Sequence, residues 1–182
     1  YTVIKRHENG LIAVPYSKEY GEELANAADY LRTAAQFLPN GNLRSFLELR
    51  ADAFRSNDYF ASDVAWVDTN GNPFEMTIGP YEVYFDALLG LKASFEAFVA
   101  LPDTDATAAL QKFMPMVPEF DAILSREFHF RPKGTASPLE VVADVFRGGE
   151  AGFGYLFVAY TLPNDRRVHD IKGSKKVFTR TM

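Results

Sequence analysis

Four carboxylates lie on or beside predicted strands in the middle of the chain, at Glu75, Glu82, Asp86 and Glu96. Paired carboxylates can act as general acid and general base. Glu is also common at exposed strand positions, so we expect Glu75 and Glu96 to be solvated. Glu82 differs, because it follows a Gly-Pro break and lies between two tyrosines. A carboxylate in that setting can hold a cationic group, such as the free amino terminus of a peptide.

The three histidines do not form a catalytic or metal-binding set. His7, His129 and His169 are far apart, and no two of them have the spacing of zinc ligands. A Ser-His-Asp arrangement is not indicated either, because His129 lies between two phenylalanines without a nucleophile motif nearby. We place His7 on a loose terminus, expect all three histidines to be structural or exposed, and predict no metal site in this chain.

A glycine-rich segment, Gly148-Gly149-Glu150-Ala151-Gly152-Phe153-Gly154, has the composition of a phosphate-binding loop. It lacks the Gly-Lys-Ser/Thr ending of such loops, and it does not begin a helix. A hairpin turn that needs positive φ angles explains the glycines better. We therefore predict a turn here rather than a phosphate site.

The composition is that of an ordinary globular protein, with 182 residues of which 47% are hydrophobic and 24% charged. A net charge of −5 argues against general nucleic-acid binding. We find no apolar run of membrane-spanning length and no signal peptide. The absence of Cys excludes disulfides and thiolate chemistry and fits a reducing compartment. We expect a cytoplasmic protein, although a chain that begins with Tyr1 leaves open a removed export signal.

The charge is unevenly distributed along the chain. Residues 164–182 contain six Lys or Arg and two Asp, so this tail carries +4 and the remainder −9. We favour the simpler interpretation, a solvated and solubilising end. The alternative is a strip that faces an acidic or phosphorylated partner, with Lys175 and Lys176 as the cations whose neutralisation would test it.

The first part of the chain is predicted to be helical. Residues 17–38 carry an apolar stripe at three- and four-residue steps, with Ser17 as the N-cap. A second helix begins near Leu43 and ends at Asn57, and a third spans about residues 59–67. Three such helices with short loops form a small bundle or a cap on another element.

Strand signals follow the turn Asn70-Gly71-Asn72-Pro73. Alternation predicts strands at residues 74–78 and 91–101, and residues 83–85 are predicted to continue the first. Later strands are predicted at residues 139–146, 155–161 and 175–179. The segment 155–161 is apolar on both faces, which favours a central strand. Helices are predicted at residues 106–113, capped by the segment Asp103-Thr104-Asp105, and at residues 120–124.

These elements define an α+β fold. The strands show no βαβ alternation, so a curved, mainly antiparallel sheet or a small barrel is the natural closure. We predict a helical segment at residues 1–69 packed against a β segment at residues 70–182, as one compact unit. The strand aromatics are expected to form the core, and some at a sheet edge could line a groove for an extended peptide. They are Phe74, Phe85, Phe95, Phe98, Tyr155, Phe157 and Tyr160.

Two blocks carry a family resemblance, Ile78-Gly79-Pro80-Tyr81-Glu82-Val83-Tyr84 and Leu162-Pro163-Asn164-Asp165-Arg166-Arg167-Val168. Shorter matches include Arg50-Ala51-Asp52-Ala53-Phe54 and Lys172-Gly173-Ser174-Lys175-Lys176-Val177. In this order they resemble the dipeptidyl-peptidase III family of zinc metallopeptidases, in particular the bacterial and plant branch sometimes fused to Nudix domains. The resemblance covers most of the chain.

The resemblance implies a substrate-binding role for this chain. In that family a helical lobe carries zinc, and a second lobe contains a five-stranded β-barrel along which the peptide adds as an extra strand. By resemblance, Glu82 would bind the substrate amino terminus, Tyr84 would assist at the scissile carbonyl, and Asn164 would hydrogen-bond to substrate main chain. The other substrate-binding residues implied are Gly79, Pro80 and Tyr81.

The zinc motif of that family, His-Glu-x-x-(x)-His, is absent from this sequence. The resemblance therefore implies that zinc belongs to a remaining catalytic lobe of the parent enzyme, and that this chain alone is inert. Thr161 departs from the family pattern, which has Asn there. Two alternatives stay open, a free-standing peptide-binding module without a catalytic lobe and an interaction domain whose basic tail recruits an acidic partner.

Overall fold

The computed structural model describes residues 1–128, 137–153 and 158–180. The chain begins with an antiparallel hairpin of β1 (Thr2–His7) and β2 (Gly10–Pro15). The prediction of a loose terminus at His7 is wrong, because residues 2–7 form a continuous ladder with residues 10–15. The His7 side chain is exposed, as expected.

Four helices follow the hairpin. They are α1 (Tyr16–Glu19), α2 (Gly21–Gln36), α3 (Asn42–Ser56) and α4 (Phe60–Val67). The three predicted helices are present, but the first is interrupted at Tyr20, and Pro15 rather than Ser17 precedes its first turn. Asn57 ends α3 in the left-handed conformation with φ 65°, which Asn adopts more readily than most residues.

The helices bury one apolar face each. Leu24 and Leu31, from the predicted stripe of α2, are buried together with Phe54 of α3. Trp66 of α4 is fully buried, and its indole N–H donates to the carbonyl oxygen of Met76 at 3.0 Å. This bond fastens the helices to the first strand of the sheet, so the helical segment and the sheet share one core.

Five strands form a mixed sheet in the order β3-β4-β5-β7-β6. They are β3 (Glu75–Glu82), β4 (Ser94–Pro102), β5 (Leu139–Gly149), β6 (Ala159–Leu162) and β7 (Lys175–Arg180). The pair β5 and β7 is parallel, and the other pairs are antiparallel. The α+β class with a mainly antiparallel sheet is therefore confirmed.

Two strand predictions need correction. The segment predicted as a central strand contributes β6, which lies at an edge of the sheet and alternates between exposed and buried residues; its residues 155–157 lie outside the described part of the chain. Residues 83–85 do not continue β3, which ends at Glu82. The described strands also do not close into a barrel, because the edge strands β3 and β6 do not pair with each other.

Side chains nevertheless bring the two edge strands together on one face of the sheet. Thr77 Oγ1 of β3 lies 3.1 Å from the Tyr160 hydroxyl of β6, and the Tyr160 ring stacks on Phe98 with centroids 4.9 Å apart. The predicted aromatic core is thus confirmed for Phe98 and Tyr160, whereas Phe85 is half exposed. Tyr155 and Phe157 lie outside the residues that the structure describes.

A buried charge cluster joins three strands. Lys175 of β7 is fully buried, with its Nζ 2.5 Å from Glu75 of β3 and 3.5 Å from Glu140 of β5. The ammonium also donates to Thr69 and lies over the Trp66 ring. The predictions of a solvated Glu75 and a solvated Lys175 are both wrong, because the two side chains pair with each other away from water.

The remaining helices are α5 (Thr104–Gln111), α6 (Val117–Phe128) and α7 (Arg166–Ile171), with 3₁₀ turns at Met114–Met116 and Glu150–Gly152. Asp103 caps α5 as predicted, accepting from the Ala106 amide at 2.9 Å. The helix α7 in the basic tail was not predicted. Throughout the described ranges, the helices are too short or too polar to cross a membrane.

Candidate functional site

The end of β3 contains an irregularity that sets the direction of Glu82. Pro80 pairs with Phe95 and Glu82 pairs with Ser94, so Tyr81 is the extra residue of a β-bulge. A bulge of this kind bends its strand and re-aims the side chains that follow. The Gly-Pro break seen in the sequence is therefore the start of the bulge.

The side chain of Tyr81 points into the core. It is 6% exposed, and its hydroxyl accepts a hydrogen bond from Arg50 Nη2 at 2.9 Å. Gly79 lies against the same guanidinium, since a Cβ at this position would be 2.7 Å from Arg50 Nη1. The residue type at position 79 is thus restricted by the packing of Arg50 under the strand.

Glu82 and Asn164 come together although they are far apart in the sequence. Asn164, which follows β6, donates from Nδ2 to the Tyr81 carbonyl oxygen at 3.2 Å. Its side chain also hydrogen-bonds to Glu82. Burial and the charge of Glu150 raise the pKa of Glu82, and the bond from Asn164 partly opposes them. The structure therefore places two of the sequence-predicted site residues in one cluster.

Two more carboxylates face Glu82. Glu96 of β4 is 3% exposed, and burial together with the charges of Glu82 and Glu150 raises its pKa to about 8. Its Oε2 has no hydrogen-bond partner among the described residues. The prediction of a solvated Glu96 is wrong, because the covered face of β4 holds this side chain. A nearby cation would stabilise the charged form of such a carboxyl.

Glu150 was missed as a site residue in the sequence. It is buried, and burial raises its pKa. Neither of its carboxylate oxygens has a hydrogen-bond partner among the described residues. Gly149 has a φ of 63°, and a Cβ there would be 2.2 Å from the Phe95 carbonyl oxygen. This close approach of β5 to β4 places Glu150 beside Glu96. The glycine pair before Glu150 was the only feature of the sequence that marked this position. The positive φ was predicted, but the predicted hairpin turn is wrong, because β5 pairs with β4 and β7 and not with β6.

Tyr84 lies just beyond the bulge with its side chain 61% exposed. The charge of Glu82 is the main cause that raises the pKa of its phenol, so the hydroxyl keeps its proton near neutral pH. Asp86 holds the following loop, because its carboxylate accepts hydrogen bonds from the backbone N–H groups of Lys92, Leu91 and others. The same hydrogen bonds lower the pKa of the Asp86 carboxyl to about 2. Asp86 therefore has a structural role.

The strand β6 presents an open edge next to this cluster. Its only strand partner in the described ranges is β7, and Ala159 and Thr161 are exposed on it. Asn164 follows after the buried Leu162. An open edge offers main-chain N–H and C=O groups in a row, which is the arrangement needed to pair with an extended chain.

A zinc site does not fit the described residues. No group of three His, Cys, Asp or Glu side chains in residues 1–128, 137–153 and 158–180 is arranged to hold a metal ion. His7 lies in the N-terminal hairpin, and the His169 ring nitrogen Nε2 contacts the Pro163 carbonyl oxygen. The remaining histidine, His129, falls outside the described ranges.

The structure is thus an α+β protein with an acidic cluster of Glu82, Glu96 and Glu150 near the edge strand β6. The sequence profile of peptidase family M49 matches residues 3–133. The chain belongs to this family, whose members are zinc metallopeptidases.

One sequence relative and two solved structures support this assignment. The chain is 34% identical over 173 residues to "Nudix hydrolase 3" of Arabidopsis thaliana, covering 94% of this chain and 22% of that protein. It superposes on dipeptidyl-peptidase III from Caldithrix abyssi with a TM-score of 0.91 and 46% identity, and on the enzyme from Corallococcus sp. strain EGB with 0.87 and 41%. Both superpositions cover 98% of this chain but only 34% of the enzyme.

Proposed function

We propose that this chain is the substrate-binding portion of a zinc-dependent peptidase similar to dipeptidyl-peptidase III. The observation that carries the proposal is the meeting of Glu82 and Asn164 beside the open edge of β6. A cation-binding carboxylate and an unpaired strand edge together suit the amino-terminal end of an extended peptide.

The amino terminus of the peptide would bind at Glu82. An ammonium group there would lie next to Glu96 and Glu150, whose burial raises the pKa of each carboxyl. The added positive charge would favour the ionised carboxylates, and this mutual stabilisation provides binding energy. The same arrangement would not favour a peptide with a blocked amino terminus.

The peptide main chain would pair with β6 by β-augmentation. Main-chain hydrogen bonds provide affinity in this mode, whatever the side chains of the ligand. Asn164, which follows β6, would hydrogen-bond to substrate main chain, and the exposed Thr161 is on the strand itself. Gly79, Pro80 and Tyr81, which precede Glu82 on β3, would complete the binding site for the amino-terminal end of the peptide.

Catalysis would require residues outside this chain. The family relationship implies zinc, but the described donor set does not fit it, so we place the metal in the remaining lobe of the parent enzyme. Tyr84 would assist at the scissile carbonyl, where a protonated, exposed phenol can donate a hydrogen bond. The chain alone would be catalytically inert. The absence of Cys supports a cytoplasmic location.

The test is peptide binding by the full-length protein that contains this chain. Isothermal titration would compare a tetrapeptide with a free amino terminus and its acetylated form, for the unaltered protein and for Glu82→Gln. We expect Glu82→Gln to weaken binding of the free-amine peptide about tenfold and binding of the acetylated peptide much less. Equal weakening of both peptides would remove the anchoring role of Glu82.

One alternative uses the same site. A free-standing peptide-binding module would bind as described above without turnover, and peptide binding in the absence of zinc would favour it. The other alternative, recruitment of an acidic partner by the basic tail, loses its main support. Lys175 is buried on Glu75, and Lys172 and Arg180 pair with Asp68 and Asp103.

A further inference from the structure

We infer that Arg50 is a positioning residue for Glu82 and acts through Tyr81, so that the preference for a free peptide amine depends on a side chain in the helical segment. This inference rests on the proposed function. The connection from Arg50 to Glu82 runs through the bulge at the end of β3.

Arg50 joins three elements at one buried point. It lies on α3 with no exposed surface, and its Nη2 donates to Asp63 Oδ1 of α4 at 2.5 Å and to the Tyr81 hydroxyl of β3 at 2.9 Å. The guanidinium lies 5.2 to 5.5 Å from the ring centroids of Phe46, Tyr59 and Tyr81. The end of β3 is thereby tied to the helices.

Fold stability alone is a weak reason for this arrangement. A buried ion pair is often no more stabilising than well-packed apolar residues of the same volume, because both charges must leave water. Moreover, Nε and Nη1 of Arg50 make no hydrogen bond within the described ranges. What the guanidinium provides is a fixed planar donor that can hold one hydroxyl in one place.

The bulge transmits this constraint to Glu82. Arg50 contacts both sides of Pro80, with Nη1 against Gly79 and Nη2 on the Tyr81 hydroxyl. That hydroxyl also lies 3.5 Å from the Ile78 carbonyl oxygen, across the irregular turn of the strand. Since Tyr81 is the extra residue of the bulge, its placement decides the direction in which the next residue, Glu82, leaves the strand.

Tyr81 is held from the opposite side as well. Asn164 donates to the Tyr81 carbonyl oxygen at 3.2 Å, and it also bonds to Glu82. The side chain of Tyr81 is thus fixed by Arg50 and its main chain by Asn164. Loss of either contact frees the bulge, and a freed Glu82 has to be ordered again when a peptide amine binds.

The experiment uses the full-length protein and two independent changes. Tyr81→Phe removes only the hydroxyl that accepts from Arg50, whereas Arg50→Met combined with Asp63→Leu removes the ion pair without leaving a lone buried charge. Arg44→Met is the matched control, since Arg44 lies on the same helix and pairs with Glu48 at the surface. Titration with the free-amine and acetylated tetrapeptides measures the amine preference. We define it as the dissociation constant of the acetylated peptide divided by that of the free-amine peptide.

We expect both changes to lower the amine preference by about tenfold, the size of one hydrogen bond to a charged group, while Arg44→Met leaves it unchanged. In a Glu82→Gln background, Tyr81→Phe should cause no further fall, because residues that act through one another are not additive. Thermal unfolding of each variant separates loss of stability from loss of preference.

Two results would overturn the inference. If both changes leave the amine preference intact while Glu82→Gln lowers it, Arg50 is only a core residue and the proposed function stands. The same conclusion follows if the effects of Tyr81→Phe and Glu82→Gln on the amine preference are fully additive. If Glu82→Gln itself leaves the preference unchanged, the proposed anchoring role fails first, and the positioning role of Arg50 fails with it.

Discussion

The Nδ2 atom of Asn164 lies 3.2 Å from the carbonyl oxygen of Tyr81 and donates a hydrogen bond to it. This bond connects the segment after β6 with the bulge of β3, at opposite edges of the sheet. The two blocks that carry the family resemblance in the sequence therefore meet here. An amide that bonds both a main-chain carbonyl and the Glu82 carboxylate fixes the position of Glu82 relative to the segment after β6.

Asn164→Ala should weaken binding of a free-amine peptide to the full-length protein. Each lost hydrogen bond costs about 1 kcal/mol, so we expect the dissociation constant to rise at least about fivefold. The pKa of Glu82 should rise further, because the bond from Asn164 is what lowers it. Asn72→Ala, in an exposed loop, is the control, and an equal effect of both changes in titration calorimetry would contradict the prediction.

Tyr84→Phe in the full-length enzyme should lower turnover more than affinity. The phenol is exposed and lies beside Glu82, so it can reach a peptide bound at that carboxylate. An interaction made mainly in the transition state changes kcat and leaves KM nearly unaltered. Steady-state kinetics on one peptide measures both constants, and an unchanged kcat would remove Tyr84 from the mechanism.

Glu96 should make the chain less stable as pH rises. Its pKa is raised to about 8 in the folded chain by burial, whereas an unfolded Glu titrates near about 4.3. Between these values the folded state binds more protons, so the free energy of unfolding falls with pH, by up to about 1.4 kcal/mol per pH unit.

The measurement is urea unfolding of this chain between pH 5 and 8, followed by the fluorescence of Trp66, its single tryptophan. Glu75 contributes in the same direction, because burial raises its pKa despite the adjacent Lys175. The difference between the unaltered chain and Glu96→Gln therefore isolates Glu96. If the free energy of unfolding of the unaltered chain and that of Glu96→Gln change with pH in the same way, Glu96 does not titrate in this range.

Lys175→Met and Lys176→Met should differ strongly although the residues are neighbours. Lys175 is fully buried on Glu75 and Glu140, and removal of one partner from such a cluster costs about 3–5 kcal/mol. Lys176 lies on the opposite face of β7 and is half-buried, so its substitution should stay within about 0.5 kcal/mol. Urea unfolding of both variants checks this, and equal stabilities would contradict the buried cluster.

Local patterns in the sequence were sufficient for most of the elements. The three-four periodicity of α2 and α3 and the alternation of β3 and β4 arise from backbone geometry over a few residues, so they can be predicted without a fold. The Gly-Pro break at Gly79 and Pro80 and the glycines before Glu150 likewise marked the irregular positions. Glu82 stood out for the same reason, because its neighbours in the sequence differ from those of an ordinary strand.

Only the tertiary structure decided which faces are covered and which residues meet. Alternation places Glu75 and Glu96 on one face of their strands, but contacts from distant strands determine that this face is buried. The parallel pairing of β5 with β7, the edge position of β6 and the contact of Asn164 with Tyr81 also depend on long-range packing. The sequence by itself determined most of the elements and the family, while long-range packing brought the carboxylates, the amide and the strand edge together.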